Sequence, residues 1–147
     1  MTDDDRSDRV LMWQTYVQTA ENTSTRREAI NRYMVPVHLA MMASHFVLPL
    51  NELPHIVIGI VGMAVSYLWI ALLDAHRKIN DAKYDIIIAL EEDLPCRPFD
   101  MESKSTGIDT GLRKYPPLTQ LQNRAAWTVF VVHLLVIVTY ALAWTLA

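Results

Sequence analysis

A chain of 147 residues, 52% of them hydrophobic and carrying a formal net charge of −3, has room for one domain or one membrane bundle. The acidic balance, with no Lys/Arg cluster interleaved with aromatics, excludes a nucleic-acid partner. A single cysteine, Cys96 in the run LPCRPF, excludes an internal disulfide and a thiolate metal cage, and reads as an unpaired reduced thiol.

The apolar residues are segregated: 34–50, 55–73 and 125–147 hold almost all the long aliphatic runs. This predicts an all-α membrane protein with three transmembrane helices, the second continuing into a long cytoplasmic stalk helix, and an amphipathic N-terminal helix.

Residues 1–33 form a cytoplasmic N-terminal region. Its acidic start, MTDDDRSDR, lacks the basic end and apolar centre of a cleavable signal peptide. Val10, Trp13, Val17 and Ala20 recur at helical spacing, with Tyr16 beside them. The opposite face holds Asp8, Gln14, Gln18 and Glu21 where a membrane-surface anchor would carry Lys and Arg, so packing against the stalk is the preferred role. Asn22-Thr-Ser-Thr25 is expected to interrupt the helix, and Thr25 to Glu28 has the form of a capping box that would start a new one. That helix leads into span 1, residues 34–50, where Pro36 removes a backbone donor. A neighbouring helix must then satisfy the freed carbonyl in lipid.

Residues 51–54 form a tight hairpin, and span 2 (55–73) follows at once. Tyr67 and Trp69 near its far end suit a membrane interface. No proline separates span 2 from the stalk at 74–94. One helix from His55 to Asp93 would be roughly 58 Å long against a hydrocarbon core of roughly 30 Å, so about half would stand in water. Along the stalk, Leu72, Ala75, Ile79, Ala82, Ile86 and Ala89 follow a 3-4-3-4-3 seam of heptad type, with alanines that permit close approach. Tyr84, Ile87 and Ile88 mark a second apolar face, so the stalk needs two neighbours: the N-terminal helix and another copy of itself, or both from within one chain.

Leu94-Pro95 stops the stalk. Residues 95–124 form a cytoplasmic segment whose stretch 95–118 reads as a loop, longer than compact domains usually keep without a purpose. Phe99, Met101, Leu112 and Tyr115 can pin it to the stalk, and Phe99, Met101 and Tyr115 are candidates for docking a soluble partner. Thr119 to Gln122 forms a second capping box ahead of span 3, residues 125–147, which Trp127 and Trp144 bracket as aromatic belts do.

All 13 Lys and Arg lie before span 1 or between spans 2 and 3. By the positive-inside rule the N-terminus and stalk are cytoplasmic and the C-terminus is outside.

Few residues could carry chemistry. His38 and His45, seven apart, share a face of span 1, with Met42 nearby, and His133 stands alone in span 3. Polar side chains at membrane depth are costly and face protein or a water-filled cavity. His38, Met42 and His45 are therefore candidate pore-lining residues, pH-sensitive because histidine titrates near neutrality. A metal site, or plain hydrogen bonds to neighbouring helices, would explain the histidines as well. Gly59, Gly62 and Ser66 form a small-residue strip on span 2, and Thr139, Ala143 and Ala147 another on span 3. Such strips let membrane helices pack closely. With the stalk residues Ala75, Ile79, Ala82, Ile86 and Ala89, the span 2 strip makes up the candidate self-association surface. Arg32 and His38 match a loose spacing used by some helical ribonucleases, but the intervening Met34-Val35-Pro36 is apolar. With no nucleophile elbow, phosphate loop, Cys/His ligand set or carboxylate dyad, the chain reads as a non-enzyme without cofactor or metal.

The run Arg77-Lys-Ile-Asn80, Ala82-Lys-Tyr84, Leu90-Glu91, Leu94-Pro95, Pro98-Phe99, Glu102, then Tyr115 and Pro117-Leu-Thr119 resembles the RipA family of octameric bacterial membrane proteins. The resemblance covers residues 25–140 and the order of spans. The chain departs at Ser103, where the family often has Trp, and at Gln122, where it has Glu. The resemblance implies a homo-octameric ring with cytoplasmic helices in the bacterial inner membrane, and no particular activity. In layout the chain is also similar to ring-forming membrane accessory proteins of bacterial antiviral systems. The expected function is a pore or membrane-perturbing ring in stress or phage defence. The alternative is a non-conducting scaffold that docks a soluble protein through the stalk and the 95–118 loop.

Overall fold

A computed structural model describes residues 3–47, 51–106 and 118–146. Four helices follow in chain order: α1 (Asp3–Val47), α2 (Glu52–Glu91), α3 (Pro98–Thr106) and α4 (Leu118–Leu146). Among the described residues there is no strand.

Three boundaries differ from those expected. First, α1 runs unbroken through Asn22-Thr-Ser-Thr25. The threonines do not cap: Thr19 donates its hydroxyl to the Tyr16 carbonyl, Thr23 to Thr19 and Thr25 to Glu21. Bonding back along the helix lets these residues sit in a helix interior. Second, α2 starts at Glu52, so Pro54 lies in its first turn, where the missing N–H costs little. Third, the stretch 95–118 is not wholly loop, because Pro98 opens the nine-residue helix α3. Leu112 and Tyr115 lie outside the described residues, as do Pro49 and Ala147.

Two compact units form, each fed by both α1 and α2. One contains α1 up to Arg26, α2 from Ala75, and α3. Its centre is Ile87, fully buried. Lys83 donates to the Thr19 carbonyl (2.8 Å) and to Thr23 Oγ1 (2.6 Å), tying α2 to the polar run in α1, and Arg9 pairs with Asp93.

The other unit contains Arg27–Asp74 and α4 from Leu118. Trp69, Ile70, Leu73 and Ala126 form its apolar core, with Ile30, Met34 and Val129 packed on it. Trp69 Nε1–H donates to Asn31 Oδ1 at 2.9 Å. Outside, Leu39, Phe46, Ile60, Leu68, Leu135 and Leu142 are all exposed. This arrangement, apolar outward, suits a solvent of acyl chains. Two helices, over Leu53–Glu91 and Gln120–Leu146, are long and apolar enough to cross a membrane. Among the described residues only these two meet that measure; the expected span 1, residues 34–50, runs past Val47, where the described part of α1 ends. Thr128, Thr139 and Thr145, exposed on α4, donate to the carbonyls of Arg124, Leu135 and Leu142, so these three hydroxyls do not face lipid unsatisfied.

Candidate functional site

Beside its apolar core, this unit buries a group of polar side chains. His38, His45, His55, Ser66 and His133 are all buried, and His133 and Ser66 are fully so. Four of the chain's five histidines thus converge on the interior of a bundle whose outside is aliphatic. A polar group in lipid is driven inward by the cost of leaving it there, and here each imidazole finds another.

Two pairs result. His38 Nδ1 lies 3.1 Å from His133 Nε2, with Ser66 Oγ at 3.5 Å from the other nitrogen of His38. His45 Nδ1 lies 2.8 Å from His55 Nδ1. In each pair one ring must donate and the other accept, so tautomers are correlated. Aromatic rings hold the imidazoles in place: Trp69 stacks on His38 (5.7 Å), and Tyr140 stacks on His55 (4.1 Å) and His45 (6.0 Å). His133 Nδ1 and His45 Nε2 are buried without a protein partner. No group of three or more His, Cys, Asp or Glu residues among those described could hold a metal ion.

The expected pore-lining residues fall into this arrangement. His38 and His45 point into their own chain, with Met42 half-buried beside them. The span 2 strip serves the same interior. A Cβ on Gly62 would fall on the His133 ring, against Cε1, Nδ1 and Nε2, and one on Gly59 would come 2.6 Å from Ile137 Cγ1. Gly59, Gly62 and Ser66 therefore admit α4 and α1 of the same chain. The stalk seam behaves differently: Ala75, Ile79, Ala82, Ile86 and Ala89 are all exposed. Ile79 is 50% and Ile86 40% exposed, against 0% for neighbouring Ile87.

Sequence reasoning gave Glu91 no role of its own, naming it only within the run that carries the family resemblance. Its carboxylate is fully buried. Oε1 accepts from Trp13 Nε1–H (3.3 Å) and from the Phe99 amide (3.2 Å), and Oε2 from the Asp100 amide (3.0 Å). Phe99 and Asp100 directly follow Pro98 at the first position of α3, where N–H groups have no intrahelical acceptor. A carboxylate there satisfies two of them and complements the helix dipole. Phe99, a candidate docking residue, packs edge-on against Trp13 (6.0 Å) and near Tyr84 (5.8 Å). Met101 is 64% exposed. The available signal was Glu91 seven residues before a helix-opening Pro98, readable only once α3 itself is expected.

A helical chain with two apolar helices of membrane-crossing length, aliphatic outside and with polar side chains buried within, is an integral membrane protein. This chain belongs to the octameric membrane protein family (8xMP), whose family model matches residues 12–143. The family description carries no enzymatic activity. Comparison with curated proteins and with solved structures found no match.

Proposed function

We propose that eight copies of this chain close into a ring in the bacterial cytoplasmic membrane, with the N-terminus and stalk inside the cell, and that the ring permeabilises or otherwise perturbs the bilayer. In a cell this would serve stress or antiviral defence. The observation that carries the assembly is the exposed seam of Ala75, Ile79, Ala82, Ile86 and Ala89. It is an apolar heptad edge left uncovered by its own chain, in a family whose members are octamers. A closed cyclic arrangement covers such an edge on every subunit without leaving free ends.

Polar groups gathered inside a lipid-facing unit support transport over a purely mechanical role. Purified octamers in planar bilayers test this: discrete conductance steps agree with the proposal, and a silent bilayer with correctly assembled rings refutes it. The exposed Met101 on α3 favours a second reading, in which the ring is a scaffold for a soluble cytoplasmic protein. That reading predicts silent bilayers and a partner whose binding Met101→Asp removes.

A further inference from the structure

We propose that the buried histidines form a proton relay inside each protomer, separate from any lumen at the centre of the ring. The geometry is that of a chain entered at one nitrogen of every imidazole and left at the other. Ser66 stands at His38 Nε2, and His38 Nδ1 meets His133 Nε2. His133 Nδ1 is buried and unpartnered, and so is His45 Nε2. His45 Nδ1 then meets His55 Nδ1. The two loose ends thus belong to different pairs and are the atoms a relay would have to connect.

His38 and His45 are roughly 10 Å apart along α1, two turns of helix. Tyr140 lies the same two turns beyond His133 on α4 and stacks on the second pair. α1 and α4 therefore carry the two pairs in the same order. At about 2.8 Å per hydrogen bond, an axial offset of this size takes about three bridging waters, each with at least two partners. The relay from His38 to His45 covers about 10 Å along α1, about a third of a hydrocarbon core of roughly 30 Å.

The proton balance is complete. A proton arriving beside Ser66 binds His38 Nε2. The proton on His38 Nδ1 passes to His133 Nε2, and His133 Nδ1–H is released to water. Each water of the chain passes one of its own protons to the next, and the last gives one to His45 Nε2. His45 Nδ1–H passes to His55 Nδ1, and His55 Nε2–H is released at the far end. One proton enters and one leaves. Every ring has changed tautomer and must rotate to reset. Gly62 gives the His133 ring its space, since a methyl there would occupy the ring's own position.

The test uses full-length octamers in phosphatidylethanolamine/phosphatidylglycerol vesicles. Pyranine inside reports protons, and separate vesicles loaded with calcein report an open lumen. With a valinomycin-set potassium potential, wild-type vesicles should acidify about tenfold faster than protein-free ones. His133→Gln and His55→Gln, on different helices and in different pairs, should each return the rate to background in vesicles that retain calcein, and to the rate the lumen alone sustains in vesicles that lose it. Calcein release, whatever its level, should be unchanged by either variant. Wild-type acidification at the protein-free rate overturns the relay, and so does a proton flux that both variants leave intact. Calcein release would still decide the ring pore independently. Should both variants fail to assemble, the wild-type reversal potential decides. Following the pH gradient and ignoring the potassium gradient supports the relay, and the reverse overturns it.

Discussion

Gly62→Ala is the smallest change that reaches the histidine interior. The added methyl would coincide with the His133 imidazole, so the ring must swing away and give up its 3.1 Å contact with His38. Forcing a methyl into a packed interior costs about 1–3 kcal/mol. A lost side-chain hydrogen bond between membrane helices adds about 0.6–1.7 kcal/mol. Alanine in place of glycine returns about 1 kcal/mol of helix propensity. The balance is a destabilisation of about 1–3 kcal/mol, equivalent to roughly 5–150-fold in the unfolding equilibrium. The assay is unfolding in mixed detergent and dodecyl sulfate, followed by tryptophan fluorescence, since Trp69 stacks on His38. Gly59→Ala is the internal comparison: its methyl meets the Ile137 side chain at 2.6 Å, which can shift, and the His133 carbonyl oxygen at an ordinary 3.4 Å, so the propensity gain roughly cancels the crowding. In the double variant Gly62→Ala/His133→Ala the methyl finds room, and the two changes should be less than additive. A Gly62→Ala protein as stable as the wild type, or no worse than Gly59→Ala, would refute the placement of the His133 ring.

Glu91→Ala removes three hydrogen bonds from a buried carboxylate and leaves the first amides of α3 uncapped. We expect a loss of about 2–4 kcal/mol, seen as faster amide exchange over residues 98–106, with Glu91→Gln intermediate; unchanged exchange there would remove Glu91 as the pin of α3. Ile86→Asp places a charge on the exposed seam without touching the chain's own core, so helicity should persist while native mass spectrometry shows loss of the octamer. An intact octamer would move the subunit contact elsewhere. A phosphatase reporter that is active only outside the cell, fused after Ala147, should be active; a silent fusion at normal expression would invert the proposed topology.

Two of the three stretches read as fit for lipid were legible because apolar runs leave a direct trace in composition, and the unbroken α2 followed because nothing interrupts residues 55–93. The seam was legible as spacing, and its residues are the ones the fold leaves uncovered. The site was only half legible. His38 and His45 share a helical face, which a sequence shows. Their partners His133 and His55 sit 95 and 10 residues away, a relation that no local periodicity carries. Gly62 read as a site for helix dimers because glycine reports only that something comes close, not what does. The break at Thr25 failed for a related reason. A capping box and a helical Thr that bonds backwards have the same local sequence, and Lys83 from α2, holding Thr19 and Thr23, helps to select the second.

The interleaving of the chain in the unit built on Glu91 has a consequence for synthesis. Trp13 and Thr19 contact residues 78 and 64 positions further on, and both apolar segments of the first hairpin lie between. At about 5–20 residues per second, roughly 4–15 s pass before the ribosome delivers what the N-terminal segment is shaped to meet. During that time, in the topology proposed above, the hairpin would be threaded into the bilayer and the early residues would wait with Trp13 exposed. Docking of the late partner then acts as a latch that closes only behind a completed insertion, so a nascent chain stalled between residues 50 and 75 would be left open and visible to proteolysis.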